Sequence, residues 1–214
     1  PAVPAADELR ARLAGLAERK LPEAEQRATQ QALEQALASL ASAQDNRSRL
    51  DTLKKTLDSA PERIRQTKAE LASLQAEAPA GAQIAPTTPI TELETQLAAE
   101  NARLSEWRQQ LDAANSLLIG ARAGPERAQT EISTAQTRMS ALESALANNR
   151  EPGRDARTLT PERQAALAAE WDALSTQIAL RREELAGTNL LLDLGQARQD
   201  LANTYIARLD ARIG

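Results

Sequence analysis

An all-α fold, an elongated antiparallel helical bundle of coiled-coil hairpins with long heptad-patterned helices, is predicted by three observations. Ala, Leu, Arg, Glu and Gln fill 135 of the 214 positions, and all five are good helix formers. Only one Val and eight Ile occur and Phe is absent, which leaves a sheet without the β-branched and aromatic residues that strands draw on. Apolar residues also recur every seven positions over long stretches, the spacing of a helical seam. Of the 89 apolar residues 45 are Ala. They bury little area each and suit slender helices packed side by side better than a broad globular core.

Residues 1–21 form an N-terminal segment with a short helix over about 6–20. Residues 22–78 form a first kinked helical unit: Ala36, Ala43, Leu50, Leu57, Ile64 and Leu71 repeat every seven positions, with Leu53, Ala60 and Leu74 as companions. The pattern passes through Pro61 in register, so the proline kinks or briefly breaks the helix without ending the seam. Residues 79–89 are a Pro/Ala-rich linker. Residues 90–149 form a second kinked unit, carried first by Ile90, Leu97, Leu104, Leu111 and Leu118 with Leu93, Trp107, Ala114 and Ala121. Gly120 and Gly124 frame a break before Pro125, after which Ile132, Met139 and Leu146 resume the rule with Ala128, Ala135 and Leu142. Residues 150–159 are a polar loop. In residues 160–214, Trp171, Ile178, Leu185, Leu192, Ile206 and Ile213 share one position, and Leu167, Leu174, Ala202 and Leu209 the other. Gly187, Thr188 and Asn189 would suit a helix end, yet the register is the same on both sides, which predicts one helix over 161–213, about 80 Å at 1.5 Å per residue.

Four prolines, Pro22, Pro61, Pro125 and Pro161, precede helical patterns and are each followed by Glu, three of them as Pro-Glu-Arg. Pro loses no needed N–H in a first helical turn, and Glu there meets the positive end of the helix dipole. Ser59 stands three residues before Glu62 in capping-box spacing, and Thr160 is a direct N-cap candidate.

The composition also prunes the chemistry. Without His or Cys there is no imidazole base, no thiolate and no nitrogen or sulfur metal ligand. The chain is therefore predicted to be no enzyme, with no catalytic, cofactor-binding or metal residues and no cofactor. A net charge of −4 argues against a nucleic-acid surface. No run of about 20 apolar residues occurs, so nothing here spans a bilayer by itself. The start at Pro1, without Met or a basic-then-apolar leader, reads as a piece of something longer.

Several residues invite a functional reading beside a plainer one. Trp107 and Trp171 would suit a ligand box, but both fall on core heptad positions, where seam packing accounts for them. Glu100 and Arg181 interrupt their seams; either they pair across the bundle and fix register, or each lies where its seam is locally exposed. Glu183 and Glu184 diverge by about 100° on a helix and cannot oppose one another as acid and base. Arg150, Arg154 and Arg157 would make a small anion-binding loop, blunted by Glu151 and Asp155. Lys54 and Lys55 read as solvated surface.

Ala60, Pro61, Glu62 and Arg65 at the first break, Pro125, Glu126, Arg127 and Gln129 at the second, and Leu185, Gly187, Leu191, Asp193, Gln196, Asp200, Ala207, Arg208 and Leu209 near the end carry a family resemblance. Over about residues 6–213 the chain resembles the periplasmic N-terminal domain, labelled a porin domain, of the large MscS-type mechanosensitive channels of the MscK, potassium-efflux type. The resemblance implies a place on the periplasmic side of the bacterial inner membrane, ahead of transmembrane helices and a C-terminal pore. It implies a homo-heptameric channel that opens under tension and releases ions during osmotic downshock. The partners implied are other subunits of that channel, with cell-wall or envelope components as further candidates, no nucleic acid, and membrane contact only through the C-terminal region. The fragment itself would space, assemble or transmit force, and "porin" would not mean a β-barrel. Competing readings are an envelope coiled-coil adaptor, whether a secretion or efflux hairpin or an activator of cell-wall hydrolases, and a membrane-curving dimer of the BAR type.

Overall fold

The computed structural model describes residues 2–77, 88–151 and 158–213. Among them the chain forms α1 (Ala6–Ala14), a short 3-10 turn (Leu16–Arg19), α2 (Glu23–Ala76), α3 (Ile90–Asn148) and α4 (Pro161–Ile213). No strand occurs among the described residues, only an isolated antiparallel bridge between Arg150 and Thr158. The all-helical prediction holds. The linker expected at 79–89 lies outside the described residues except for Thr88 and Pro89, and residues 152–157 of the loop expected at 150–159 lie outside them too.

The helix expected over 6–20 is shorter. It gives way at Gly15 to the 3-10 turn, and Lys20 takes a left-handed conformation (φ 48°) that ends the segment. The break expected before Pro125 is absent: α3 runs through Gly120, Gly124 and Pro125, as α2 runs through Pro61. Each internal proline withdraws one backbone donor from the carbonyl four residues earlier. Burial of a helix face outweighs that loss and the weak propensity of glycine, since most helical stability in proteins comes from tertiary packing. Ser59 accordingly makes no capping box; its Oγ donates to the Thr56 carbonyl at 3.1 Å inside α2. Thr160 does cap α4, its Oγ1 accepting from the Arg163 N–H at 3.2 Å. The single helix predicted over 161–213 is found, and Gly187–Asn189 does not interrupt it.

The chain divides into two compact units, one of Pro1–Lys54 with Glu126–Leu185, the other of Lys55–Pro125 with Ala186–Gly214. In the first unit, Gln35 meets Arg163 and Arg47 meets Asp172, so α2 runs parallel to α4. Glu131 meets Arg181 and Arg138 meets Glu170, so α3 runs antiparallel to it. In the second unit, Glu70 with Tyr205 and Leu74 with Arg208 give the same parallel sense for α2, and Arg108 with Asp210 and Asn115 with Gln199 the same antiparallel sense for α3.

The predicted seam of α4 faces α3. In the first unit Leu167, Trp171 and Leu174 pack with Leu142, Ala145 and Leu146 of α3. A second line, which the sequence reading missed, lies beside it: Ala166, Ala173, Leu180, Gly187, Leu194 and Leu201 also recur every seven residues, and all but the half-buried Ala173 are buried. Ala165, Ala166 and Ala169 pack with Leu33 and Ala36 of α2 and Leu9 of α1. Residues 166 and 167 diverge by about 100°, so α4 buries two faces rather than one. Among the described residues, more than half of the buried apolar ones are alanines. Each of the fully buried leucines Leu9, Leu33, Leu142, Leu167, Leu180 and Leu194 adds about 2 kcal/mol of transfer free energy.

Two glycines mark how close the helices come. A Cβ at Gly187 would lie 2.5 Å from Leu57 of α2, and one at Gly195 would lie 2.9 Å from both Cδ2 and Cγ of Leu118 of α3. Leu118 is 3% exposed and has little room to yield. At Gly120 a Cβ would meet nothing within 4 Å. Gly195→Ala is expected to destabilise by about 1 kcal/mol, overpacking outweighing the gain in helix propensity. Gly120→Ala is expected to stabilise by about 0.5–1 kcal/mol. Urea midpoints moving in the same direction for both would refute this assignment of close and open glycines.

Candidate functional site

Among the described residues, the ion pairs that join one element to another have a partner on α4, where charged side chains meet the flanking segments. In the first unit Arg181 is 15% exposed. Its Nε donates to Glu131 Oε2 at 2.6 Å, and its Nη1 to the Glu184 carboxylate at 2.8 Å. Gln177 adds a donor to Glu131 at 3.2 Å. Burial pushes the Glu131 carboxyl pKa upward, but the hydrogen bonds from Arg181 and Gln177 outweigh it and the pKa falls below its ordinary 4.5. Arg181 is correspondingly held above its usual value, burial opposing and the two carboxylates prevailing.

Three further pairs link α4 to its neighbours in this unit. Arg47 of α2 donates to both oxygens of the buried Asp172 at 2.6 and 2.8 Å. Arg138 of α3 makes a fork to Glu170, Nε to Oε1 at 2.7 Å and Nη2 to Oε2 at 3.0 Å. Arg19, at the end of the 3-10 turn, donates to the buried Glu162 at 2.8 Å. Burial raises the Glu162 pKa, and the Arg19 hydrogen bond then brings it below 4.5. Glu162 belongs to the Pro-Glu-Arg motif, so this acid fixes the N-terminal segment to the start of α4 as well as meeting the helix dipole.

In the second unit, Trp107 of α3 stacks on Tyr205 of α4 with ring centroids 3.9 Å apart and planes 12° off parallel. The Tyr205 hydroxyl donates to Glu70 of α2 at 2.7 Å, so the stack joins all three helices. Burial, then the Glu70 carboxylate, push the phenol pKa up to about 12. A groove of about 370 Å³ opens beside the stack, bordered by Arg63 and Thr67, Glu106 and Gln110, and Arg198 and Leu201. Beyond it, Arg208 donates to the Leu74 and Glu77 carbonyls at the end of α2, a charged C-cap supplied by a neighbouring helix. Glu100 accepts from Arg212 at 2.7 Å and Arg103 at 3.3 Å, while its other oxygen is buried without a partner.

Glu100 and Arg181 both pair across helices, with different partners and in different units. Trp107 and Trp171 are half-buried on the seam. The Trp171 indole N–H donates to Glu143 at 2.8 Å. Glu184 pairs with Arg181 rather than with Glu183. Lys54 and Lys55 are exposed. Arg150 is exposed, whereas Arg154 and Arg157 lie outside the described residues. Among the described residues no group of three or more Asp and Glu is placed to hold a metal ion, and no helix is long and apolar enough to cross a membrane.

Two titrations follow. Glu131 and Glu162 have folded pKa values below their unfolded ones, so the stability they contribute is full above about pH 4.5 and is lost as pH falls through the folded values. Thermal melts of an E131Q/E162Q variant between about pH 6 and about pH 3 should slope less than those of the parent; equal slopes would remove these carboxylates from the acid limb. Tyr205 is the single tyrosine, so ultraviolet absorbance reads it alone. Its raised pKa gives stability that is lost as pH rises from about 10 through about 12. Glu70→Gln should lower the observed phenol pKa, and an unchanged or higher value would contradict the contact.

A family model described as the mechanosensitive ion channel porin domain matches residues 12–214. The chain is 27% identical over 213 residues to the mechanosensitive channel MscK of Escherichia coli (strain K12), an alignment covering 99% of this chain and 19% of that protein. It thus spans about a fifth of the length of this curated relative. No solved structure matches it. With the match extending through α2, α3 and α4, the chain belongs to the mechanosensitive ion channel porin domain family.

Proposed function

We propose that this chain is a non-catalytic domain of an MscS-type mechanosensitive channel, placed on the periplasmic side of the bacterial inner membrane, where it spaces, assembles or transmits force between subunits of a channel that releases ions in osmotic downshock. The observation that carries the reading is the family match over residues 12–214, which takes in all three long helices. The proposal includes potassium efflux and assembly with further copies of the same subunit, and the likeness to a mechanosensitive channel over 99% of this chain supports it.

The packing supports a mechanical role. A shift of α4 along α2 or α3 would have to separate Arg47 from Asp172 and Arg138 from Glu170 in one unit, and Trp107 from Tyr205 in the other. It would also drive side chains into the close approaches at Gly187 and Gly195. Packed interiors of this kind resist small displacements and transmit strain. Load applied along one helix is thereby shared with its neighbours.

The test removes residues 1–214 from the full-length channel and compares opening tension in patches, subunit number in detergent and survival of osmotic downshock with the intact protein. The expected result is a changed tension threshold or impaired assembly. Identical threshold, assembly and survival would overturn the proposal.

A further inference from the structure

Arg198 stands apart from the other half-buried arginines of α4, which are Arg163, Arg181 and Arg208. Arg163 meets Glu151, Arg181 meets Glu131 and Glu184, and Arg208 meets the Leu74 and Glu77 carbonyls. Arg198 has no acceptor among the described residues. The sequence over 78–87 contains no Asp or Glu that could supply one. Partial burial of a cation without a counter-charge weakens a fold rather than strengthening it.

Arg198 lines the groove beside the Trp107–Tyr205 stack, and every residue of that lining belongs to the second unit. The groove has two chemically distinct ends. Arg63 of α2 precedes Arg198 by the same 135 positions that separate Glu70 from Tyr205, so the two arginines stand at one level. Arg63 is exposed and also lacks an ion pair among the described residues. Glu70 and Trp107 meet at Tyr205, seven residues further along α4, and Glu106 adjoins Trp107. Glu106 is exposed and in no ion pair among the described residues. Seven residues of helix set the cationic end about 10 Å from the acidic end. Between these levels lie Gln66 and Thr67 of α2 and Gln110 of α3, with the buried Leu201 of α4. Two arginines face two carboxylates across the lining, so a phosphate or a polyanion gains little from it.

We infer that this groove binds a free peptide of about three residues in extended form, its carboxylate on Arg198 and Arg63 and its amino group at Glu106. An extended chain of that length spans about 10 Å, the separation of the two ends. The side-chain amides of Gln66 and Gln110 and the Thr67 hydroxyl supply donors and acceptors for the peptide groups between them. Trp107 and Leu201 give small side chains an apolar contact. A volume of about 370 Å³ lies in the range of small-ligand sites. The ligand carboxylate supplies the counter-charge that Arg198 lacks within the fold.

Isothermal titration calorimetry of the protein with trialanine tests the site, with trialanine amide and N-acetyltrialanine as ligands that each lack one terminal charge. Trialanine should bind saturably and roughly tenfold more tightly than either derivative. Arg198→Gln should weaken trialanine binding roughly tenfold and remove its advantage over the amide, while Glu106→Gln should remove its advantage over the acetylated form. Without peptide, the R198Q protein should melt no lower than the parent, because Arg198 gives up no partner in the fold. No saturable binding by about 10 mM, or equal binding of trialanine and its amide, would overturn the inference. Full affinity retained by R198Q would overturn it too, and so would a lower melting temperature, which would assign Arg198 to the fold. N-acetyltrialanine bound as tightly as trialanine would give the groove to the end of a longer chain and would equally overturn it.

Discussion

The two-faced burial of α4 is the constraint from which the other features follow. A helix covered on two sides by helices of opposite direction has little room for large side chains, and the chain answers with Ala166, Ala169, Gly187, Ala197 and Ala202 at its contacts. Close approach yields many weak dispersion contacts and modest apolar area per residue. It also makes each contact sensitive to a single added methyl group, as at Gly195. The abundance of Ala is thus the packing geometry written in composition, beyond a preference for helix.

A surface of small residues repeating every seven positions is poor at defining its own register, because sliding by one heptad replaces one alanine contact with another. Cross-helix ion pairs remove that ambiguity. Arg47–Asp172 sets α2 against α4, and Arg138–Glu170 and Arg181–Glu131 set α3 against α4. The net stability such pairs add is modest, and their best-attested use is to specify one alignment over its near-equivalents. In the other unit the Trp107–Tyr205–Glu70 assembly performs the same task with a stacked pair and one hydrogen bond.

Much of this was legible in the sequence, and the misses share a cause. Leu, Ile and Trp at a period of seven gave the seam of α4 toward α3 and its uninterrupted length through Gly187. The second seam has the same period, but Ala166, Ala173 and Gly187 carry almost no apolar signal and a glycine reads as punctuation. Gly120, Gly124 and Pro125 were over-read for the converse reason, since local propensity is weak beside a buried helix face. The Pro-Glu-Arg motif was informative at Pro161, where Thr160 caps the helix, and misleading at Pro61 and Pro125, which lie inside helices. The paired charges were visible as residues but not as pairs. Arg47 and Asp172 are 125 positions apart, and only the parallel packing of α2 and α4 brings them together.

The placement of the two tryptophans has a practical consequence. Each compact unit holds one, Trp171 beside Glu143 in the first and Trp107 against Tyr205 in the second. An indole hydrogen-bonded to a carboxylate and an indole stacked on a phenol differ in emission, so single-tryptophan versions would carry a separate optical probe in each unit with no label added. Loss of emission contrast in one probe before the other would show whether the units melt as one cooperative body or as two, which is the property that decides how far a pull at one end is felt along the chain.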